Sequence, residues 1–134
     1  NTYMIPCLPW LATALRREME RLPSSAAAEE RRLRRRAEQA ARRGVRLARK
    51  FQNDLPHALR EQGLLASGSG RHQRARRWLD ESLRVAERQG ARYEYAQTLL
   101  AMGEMDVAQG VPEGPERVAQ AQRLLLEITR PATG

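Results

Sequence analysis

Apolar residues recur along this chain at spacings of three and four, which is the pattern that one face of an α-helix produces. The segment RARRWLDESLRVAERQ, residues 74–89, shows it clearly. Its small or apolar positions are Ala75, Trp78, Leu79, Ser82, Leu83 and Ala86. Most of the remaining residues are charged or polar, so the segment is predicted to form an amphipathic helix with one buried face.

The same periodicity, interrupted by glycine and proline, predicts six helices joined by short turns. Their expected ranges are about 9–22, 25–51, 54–67, 74–89, 92–109 and 115–129. Expected N-caps are Ser24 or Ser25 for the second helix and Asn53 or Asp54 for the third. Pro56 and Pro115 are expected in first turns, where a missing N–H is harmless, and Gly90 is expected to end the fourth helix in a left-handed conformation.

Six helices with short connections predict an all-α fold of three antiparallel helical hairpins, at about residues 8–52, 53–90 and 91–130. The hairpins repeat one another: AEQAARRGVRLA (37–48) aligns with ARRWLDESLRVA (75–86), and LREQG (59–63) aligns with LLAMG (99–103). A glycine inside a helix costs about 1 kcal/mol relative to alanine. Gly63 and Gly103 therefore predict close helix–helix contacts, with Ala37 and Ala75 as opposing surfaces. Chance similarity between alanine-rich helices is the alternative explanation.

Composition agrees with a single helical domain covering residues 1–134. Five Val and two Ile leave little material for a sheet. The single cysteine, Cys7, cannot form an internal disulfide, which suits the cytoplasm. No apolar run approaches the roughly 20 residues of a membrane span. The chain starts with neither methionine nor a signal-peptide pattern, so it is expected to be a piece of a longer protein.

The net charge of +8 arises almost entirely from arginine, since Lys50 is the only lysine. Such a charge can indicate a nucleic-acid partner. The competing explanation is a solvated helical surface, because arginines have acidic neighbours at helical spacing, as in Glu30 with Arg34 and Asp80 with Arg84.

The sequence contains no recognisable catalytic or metal-binding motif, so no catalytic residue, metal or cofactor is predicted. His57 and His72 lack partners at metal-ligand spacing, and His57 is expected to be exposed or to face a groove. Cys7 has no nucleophile motif, and SGSGR (67–71) lacks the lysine of a phosphate-binding loop and reads as a tight turn. Carboxylates are expected to pair with arginines on polar faces. Trp78 and Phe51 are expected in the core, and Tyr93 or Tyr95 in the groove.

From Pro56 onward the chain resembles the tetratricopeptide repeat. Matching positions are Leu59 at the first large residue, Gly63 at the glycine, Ala75 at the first alanine, Leu79 at the second large residue and Ser82 at the last small residue. Gln62 replaces the usual leucine, Ala66 replaces an aromatic, and Gly63 and Gly103 are farther apart than the family's period of about 34 residues. Longer repeats of this kind are similar to the helical arrays of large bacterial signalling proteins that carry ATPase, kinase or cyclase regions.

This resemblance implies a short right-handed superhelix with a concave groove built from the first helix of each hairpin. The groove positions it implies are His57, Arg60, Glu61, Leu64, Gln97, Leu100, Ala101 and Glu104. The function it implies is a non-catalytic, protein-binding regulatory scaffold of a multidomain bacterial signalling protein. Its partner would be a peptide, a helix of another protein or another domain of the same chain.

Two alternatives stay open. The convex face, formed by the second helices, is expected to be basic and could bind nucleic acid through Arg35, Arg42, Arg46, Arg74 and Arg77. Exposed end helices could instead support a homodimer. A membrane partner is not expected.

Overall fold

A computed structural model describes residues 4–130 of the chain, with side chains from residue 7 onward. The helices in this range are α1 (Met4–Glu20), α2 (Ala27–Ala48), α3 (Leu55–Gly68), α4 (His72–Gln89), α5 (Arg92–Ala108) and α6 (Gly114–Thr129). A 3-10 turn, Gln52–Asp54, leads into α3. Every regular element in the described range is helical, so the all-α prediction is confirmed. None of these helices is both long enough and apolar enough to cross a membrane.

Consecutive helices pack in pairs: α1 against α2, α3 against α4, and α5 against α6. Each pair touches the next in two ways. The second helix of a pair contacts the following first helix, as α2 does with α3 and α4 with α5. The first helices also contact one another in series, α1 with α3 and α3 with α5. Within residues 4–130, no Cα atoms of α2, α4 and α6 come within 8 Å of one another, so the backbones of these helices lie farther apart than those of the first helices.

Gly63 and Gly103 lie at close contacts between paired helices, as predicted, with Ala75 opposite Gly63 but Val118, and not Ala37, opposite Gly103. A β-carbon on Gly63 would stand 2.7 Å from Cγ of Leu79 and 3.2 Å from the carbonyl oxygen of Ala75. A β-carbon on Gly103 would stand 2.8 Å from the backbone nitrogen of Val118. Each glycine therefore lets its own helix contact the second helix of its pair. Ala37 is fully buried in a cluster with side chains of α1 and α3.

The helix ends follow the predicted signals in part. Pro56 and Pro115 occupy first turns, and Gly90 ends α4 with a φ of +65°. The predicted caps are wrong at α2, where Ala26 holds the N-cap position without a side-chain hydrogen bond. The Ala26 N–H donates a hydrogen bond to the Pro23 carbonyl and closes a turn that contains Ser24 and Ser25, so neither serine is the N-cap. Asp54 holds the N-cap position of α3, also without a side-chain bond.

The core consists mainly of leucine and alanine side chains, with some valine and methionine, packed within and between the helix pairs. Trp78 is half-buried and packs against the cluster that includes Val45, Leu55 and Val85. The prediction that Phe51 belongs to the core is wrong, because its side chain is 54% exposed. Since α2 ends at Ala48, Phe51 lies beyond the apolar stripe of that helix.

Candidate functional site

A depression of about 190 Å³ lies between α1, α3 and α5. It is formed by the first helix of each pair. The residues predicted for the groove all line it: His57, Arg60, Glu61, Leu64, Gln97, Leu100, Ala101 and Glu104. The structure thus brings two sets of residues, 40 positions apart in the chain, onto one surface.

The eight residues divide into a buried floor and an accessible rim. His57, Arg60, Glu61 and Ala101 are buried, with Glu61 only 1% exposed. Leu64, Gln97 and Leu100 are half-buried, and Glu104 is exposed. Of the two alternatives expected for His57, exposure or a position facing a groove, the structure shows the second, because His57 is buried but lines the depression. Buried charges on the floor require partners inside the protein, and the structure supplies them.

Glu61 is the centre of a polar network that joins α1 to α3. Its Oε1 accepts a 2.5 Å hydrogen bond from the Thr13 hydroxyl, and its Oε2 accepts a 2.8 Å bond from Nε of Arg16. A second guanidinium nitrogen of Arg16 lies 3.1 Å from Oε1, so the arginine binds the carboxylate through two bonds. These contacts link residues that are 45 or more positions apart in the chain.

His57 extends this network toward the surface. Its Nε2 lies 2.9 Å from the Thr13 hydroxyl oxygen. Since the hydroxyl proton goes to Glu61, His57 must carry a proton on Nε2 and donate it to Thr13. The indole of Trp10 packs edge-on against the imidazole, with ring centroids 4.7 Å apart and ring planes at 73°.

The pKa values of the buried groups reflect these surroundings. Burial lowers the pKa of His57, and the nearby Arg60 guanidinium lowers it further. Burial alone would raise the pKa of Glu61, but the hydrogen bonds and charge of Arg16, together with the Thr13 bond, outweigh it and lower the pKa. At neutral pH the network therefore contains an ionised Glu61 beside a neutral His57.

A second network joins α3 to α4 and α5. Arg60 donates a 2.6 Å hydrogen bond to Glu94 and a 3.3 Å bond to the hydroxyl of Thr98. The hydroxyls of Ser82 and Thr98 are 2.8 Å apart, and Ser82 also donates to the carbonyl oxygen of Pro56. Arg60 is therefore already paired within the protein and has little freedom to bind a partner.

Asp106 forms a third buried charge centre. It is 0% exposed and accepts hydrogen bonds from Arg76 of α4 and Arg117 of α6. The expectation that carboxylates pair with arginines holds for Asp106 and Glu61, but both lie in the interior and not on a polar face. Each holds helices together from within: Glu61 pairs with Arg16 of α1, and Asp106 pairs with one arginine from α4 and one from α6.

Sequence reasoning missed part of the rim. Trp10, Arg17 and Tyr93 line the depression, and Trp10 and Tyr93 are largely exposed. Tyr93 is the one of the two tyrosines expected in the groove that lines the depression, and α1 was expected to contribute to the groove, but none of its residues was named. The spacing of 40 residues between His57 and Gln97, continued backward from His57, reaches Arg17 and could have identified it, whereas no repeat position corresponds to Trp10.

The second helices are separated by a larger cleft, of about 400 Å³, between α2 and α4 above α3. Arg42, Arg74 and Arg77 line this cleft, whereas Arg35 and Arg46 lie outside it. Three of the five predicted nucleic-acid-binding arginines are therefore brought together. The same cleft contains Arg49 and Arg71, which the prediction did not name among the binding residues.

The remaining candidate features in the described part of the chain are metal-ligating side chains, Cys7 and the glycine-rich turn. No group of three or more His, Cys, Asp or Glu side chains within it could hold a metal ion. Cys7 is exposed. SGSGR forms the predicted turn between α3 and α4, with Gly70 at a φ of +79° and the Ser69 hydroxyl donating to the Leu65 carbonyl at the end of α3.

Comparison with known protein families, curated proteins and solved structures returned no match for this chain.

Proposed function

We propose that this chain is a non-catalytic protein-interaction module whose three helical hairpins stack as in a tetratricopeptide array. The order of helix contacts supports this, because first helices touch in series and second helices do not. Gly63 and Gly103 support it too, since each lies against the second helix of its own pair. In such a stack the first helices form a concave surface, which is the surface that carries the depression.

The ligand we propose for the depression is a peptide or a helix of a partner protein. Leu64 and Leu100 offer half-buried apolar area, and Trp10 and Tyr93 offer exposed aromatic rings nearby. Aromatic residues of this kind contribute strongly to protein interfaces. The charges of Arg17 and Glu104 at the rim would orient a partner of mixed charge.

The buried networks would contribute rigidity to this surface. They hold α1, α3 and α5 together through Thr13–Glu61 and Arg60–Glu94 bonds directly beneath the rim. A preformed surface loses less conformational entropy when a partner binds. The resemblance further suggests that the module serves a regulatory role in a multidomain bacterial signalling protein, and the complete reading frame around this segment would test that part of the proposal.

The function can be tested by selecting peptides from a displayed random library against the immobilised wild-type protein. We expect enriched peptides with apolar anchors that lose at least about tenfold in affinity on the double variant Leu64→Ser and Leu100→Ser, because hot-spot side chains typically contribute more than 1 kcal/mol each. A second variant, Arg17→Glu with Glu104→Arg, changes only exposed charges and is expected to weaken the same peptides.

Matched controls lie away from the depression. Leu126→Ser alters an exposed leucine of α6, and Glu87→Arg with Arg88→Glu alters exposed charges of α4. Circular dichroism is to confirm that every variant keeps its helicity. Peptides that bind all variants and controls equally well, or a library that yields no enrichment, would show that the depression is not a peptide-binding site.

A further inference from the structure

The cleft between the second helices lies on a different surface of the protein from the depression. Its floor comes from Gln62, Leu65 and Ala66 of α3, and its walls come from α2 and α4. It shares no lining residue with the depression, whose α3 residues are 57, 60, 61 and 64. Since successive residues turn by about 100° around a helix, the two sets lie on different faces of α3.

The cleft carries a concentrated positive charge. Five arginines and two glutamates line it, which gives a net charge of +3. Arg49 and Glu81 satisfy each other across the cleft through bonds of 2.8 and 3.3 Å. The other four arginines are exposed and have no carboxylate partner within residues 4–130: Arg42, Arg71, Arg74 and Arg77.

We propose that this cleft binds an acidic segment of a partner protein through carboxylate–guanidinium pairs. An arginine fork can hold a carboxylate by two parallel hydrogen bonds, and such charge-assisted bonds are stronger than neutral ones. Arg42 and Arg49 are seven residues apart on α2, which corresponds to about 10 Å along a helix. The cleft is therefore about as long as two turns of a bound helix. The apolar side chains of that helix would lie over Leu65 and Trp78.

An acidic protein segment fits the walls better than a nucleic acid does. Glu38 and Glu81 stand among the arginines, and a continuous phosphate backbone would have to pass close to both. A peptide can place its carboxylates only where arginines face them. Among the residues that line the cleft, Trp78 is the one aromatic side chain, so the successive bases of a nucleic acid would have a single ring to stack on.

The test is fluorescence anisotropy with a labelled peptide of about 16 residues in which two glutamates alternate with one leucine, long enough for about four helical turns. The cleft variant carries Arg42→Gln, Arg74→Gln and Arg77→Gln. Its matched control carries Arg35→Gln, Arg46→Gln and Arg84→Gln, which are exposed arginines outside the cleft. Both variants change the net charge equally, and glutamine has a helix propensity close to that of arginine.

We expect the cleft variant to weaken peptide binding by at least about tenfold, and the control to change it by less than about twofold, because only the cleft arginines form charge-assisted bonds with the peptide. An equal loss in both variants would mean diffuse charge attraction and would overturn the proposal. So would the absence of peptide binding at about 50 mM salt, where electrostatic association is strong.

A labelled oligothymidylate of similar length serves as the competing probe. Weak oligonucleotide binding that the two variants reduce equally supports the proposal. Oligonucleotide binding as tight as that of the peptide, with the same loss in the cleft variant and a steep decrease with salt, would assign the cleft to nucleic acid instead. Neither outcome depends on the depression between the first helices, so the two proposals can fail separately.

Discussion

The Thr13 hydroxyl donates a 2.5 Å hydrogen bond to Oε1 of Glu61 and so connects α1 to α3 beneath the proposed binding surface. Arg16, one helical turn after Thr13, neutralises the same carboxylate. The two helices are thus joined by a charge that water barely reaches. Removal of that charge would leave Arg16 without its principal partner.

Glu61→Gln is therefore expected to destabilise the fold by about 2 kcal/mol, less than for a fully buried pair because Arg16 retains some contact with water. Urea unfolding followed by circular dichroism measures this change. Glu18→Gln, on the exposed side of α1, is the control and is expected to stay within about 0.5 kcal/mol of wild type. Equal stability of Glu61→Gln and wild type would contradict the role given to the network.

The pH dependence of stability follows from the same two groups. The pKa of His57 is lowered in the folded protein from its ordinary 6.5, so the unfolded chain binds a proton first as the pH falls. The contribution of His57 to the free energy of unfolding is therefore complete above pH 6.5 and decreases below that pH. The pKa of Glu61 is lowered from 4.5 in the folded protein. Its contribution to the free energy of unfolding is therefore complete above pH 4.5 and is lost as the pH falls through the folded-state pKa.

We therefore expect the free energy of unfolding to decrease between about pH 7 and pH 5 in the wild type. His57→Gln should remove most of this slope, whereas His72→Gln, which changes an exposed histidine at the start of α4, should keep it. Urea titrations across this pH range give the comparison. A slope that persists in His57→Gln would show that another group causes it.

Gly63→Ala and Gly103→Ala are expected to destabilise the protein by about 1–3 kcal/mol, because each new methyl group would overlap the facing helix. The reverse is expected at Gly44, where a β-carbon would meet Leu8 at an ordinary 3.5 Å. Gly44→Ala should therefore stabilise the fold by about 0.5–1 kcal/mol through helix propensity. Thermal unfolding of the three variants checks both signs, and stabilisation by all three would refute the close contacts.

Asp106→Asn should destabilise the junction of α4, α5 and α6 by about 2–3 kcal/mol, since Arg76 and Arg117 would both lose an ionised partner. Their guanidinium groups are about one third exposed, which limits the effect. Asp80→Asn, at a half-buried site on α4, is the control and should stay within about 0.5 kcal/mol. Hydrogen exchange is expected to increase first in α6, the end helix that Arg117 anchors.

The sequence predicted the ends of helices well where the backbone conformation of a single residue determines the end. Gly90 ends α4 because only a residue without a side chain adopts a positive φ at little cost. Pro56 starts α3 for an equally local reason. The caps of α2 could not be predicted in this way, because a turn at Pro23–Ala26 uses the serines that would otherwise cap the helix.

For the groove residues, too, one property could be predicted from the sequence and another could not. Their common surface was implied by the resemblance to the tetratricopeptide repeat, in which one face of each first helix lines the groove. Their burial could not be predicted. His57, Arg60 and Glu61 look like solvated polar residues in the sequence, and each becomes buried because a partner on another helix, 34 or more residues away in the chain, takes the place of water.

The sequence by itself determined that this chain is helical, where most of its helices begin and end, and which face of each is apolar, because these properties depend on neighbours within one or two turns. Only the tertiary structure decided which charges are buried and paired, and which arginines stand unpaired around a cleft. Electrostatic partners are chosen by distance in space, and helices from separate parts of the chain must pack before those distances exist.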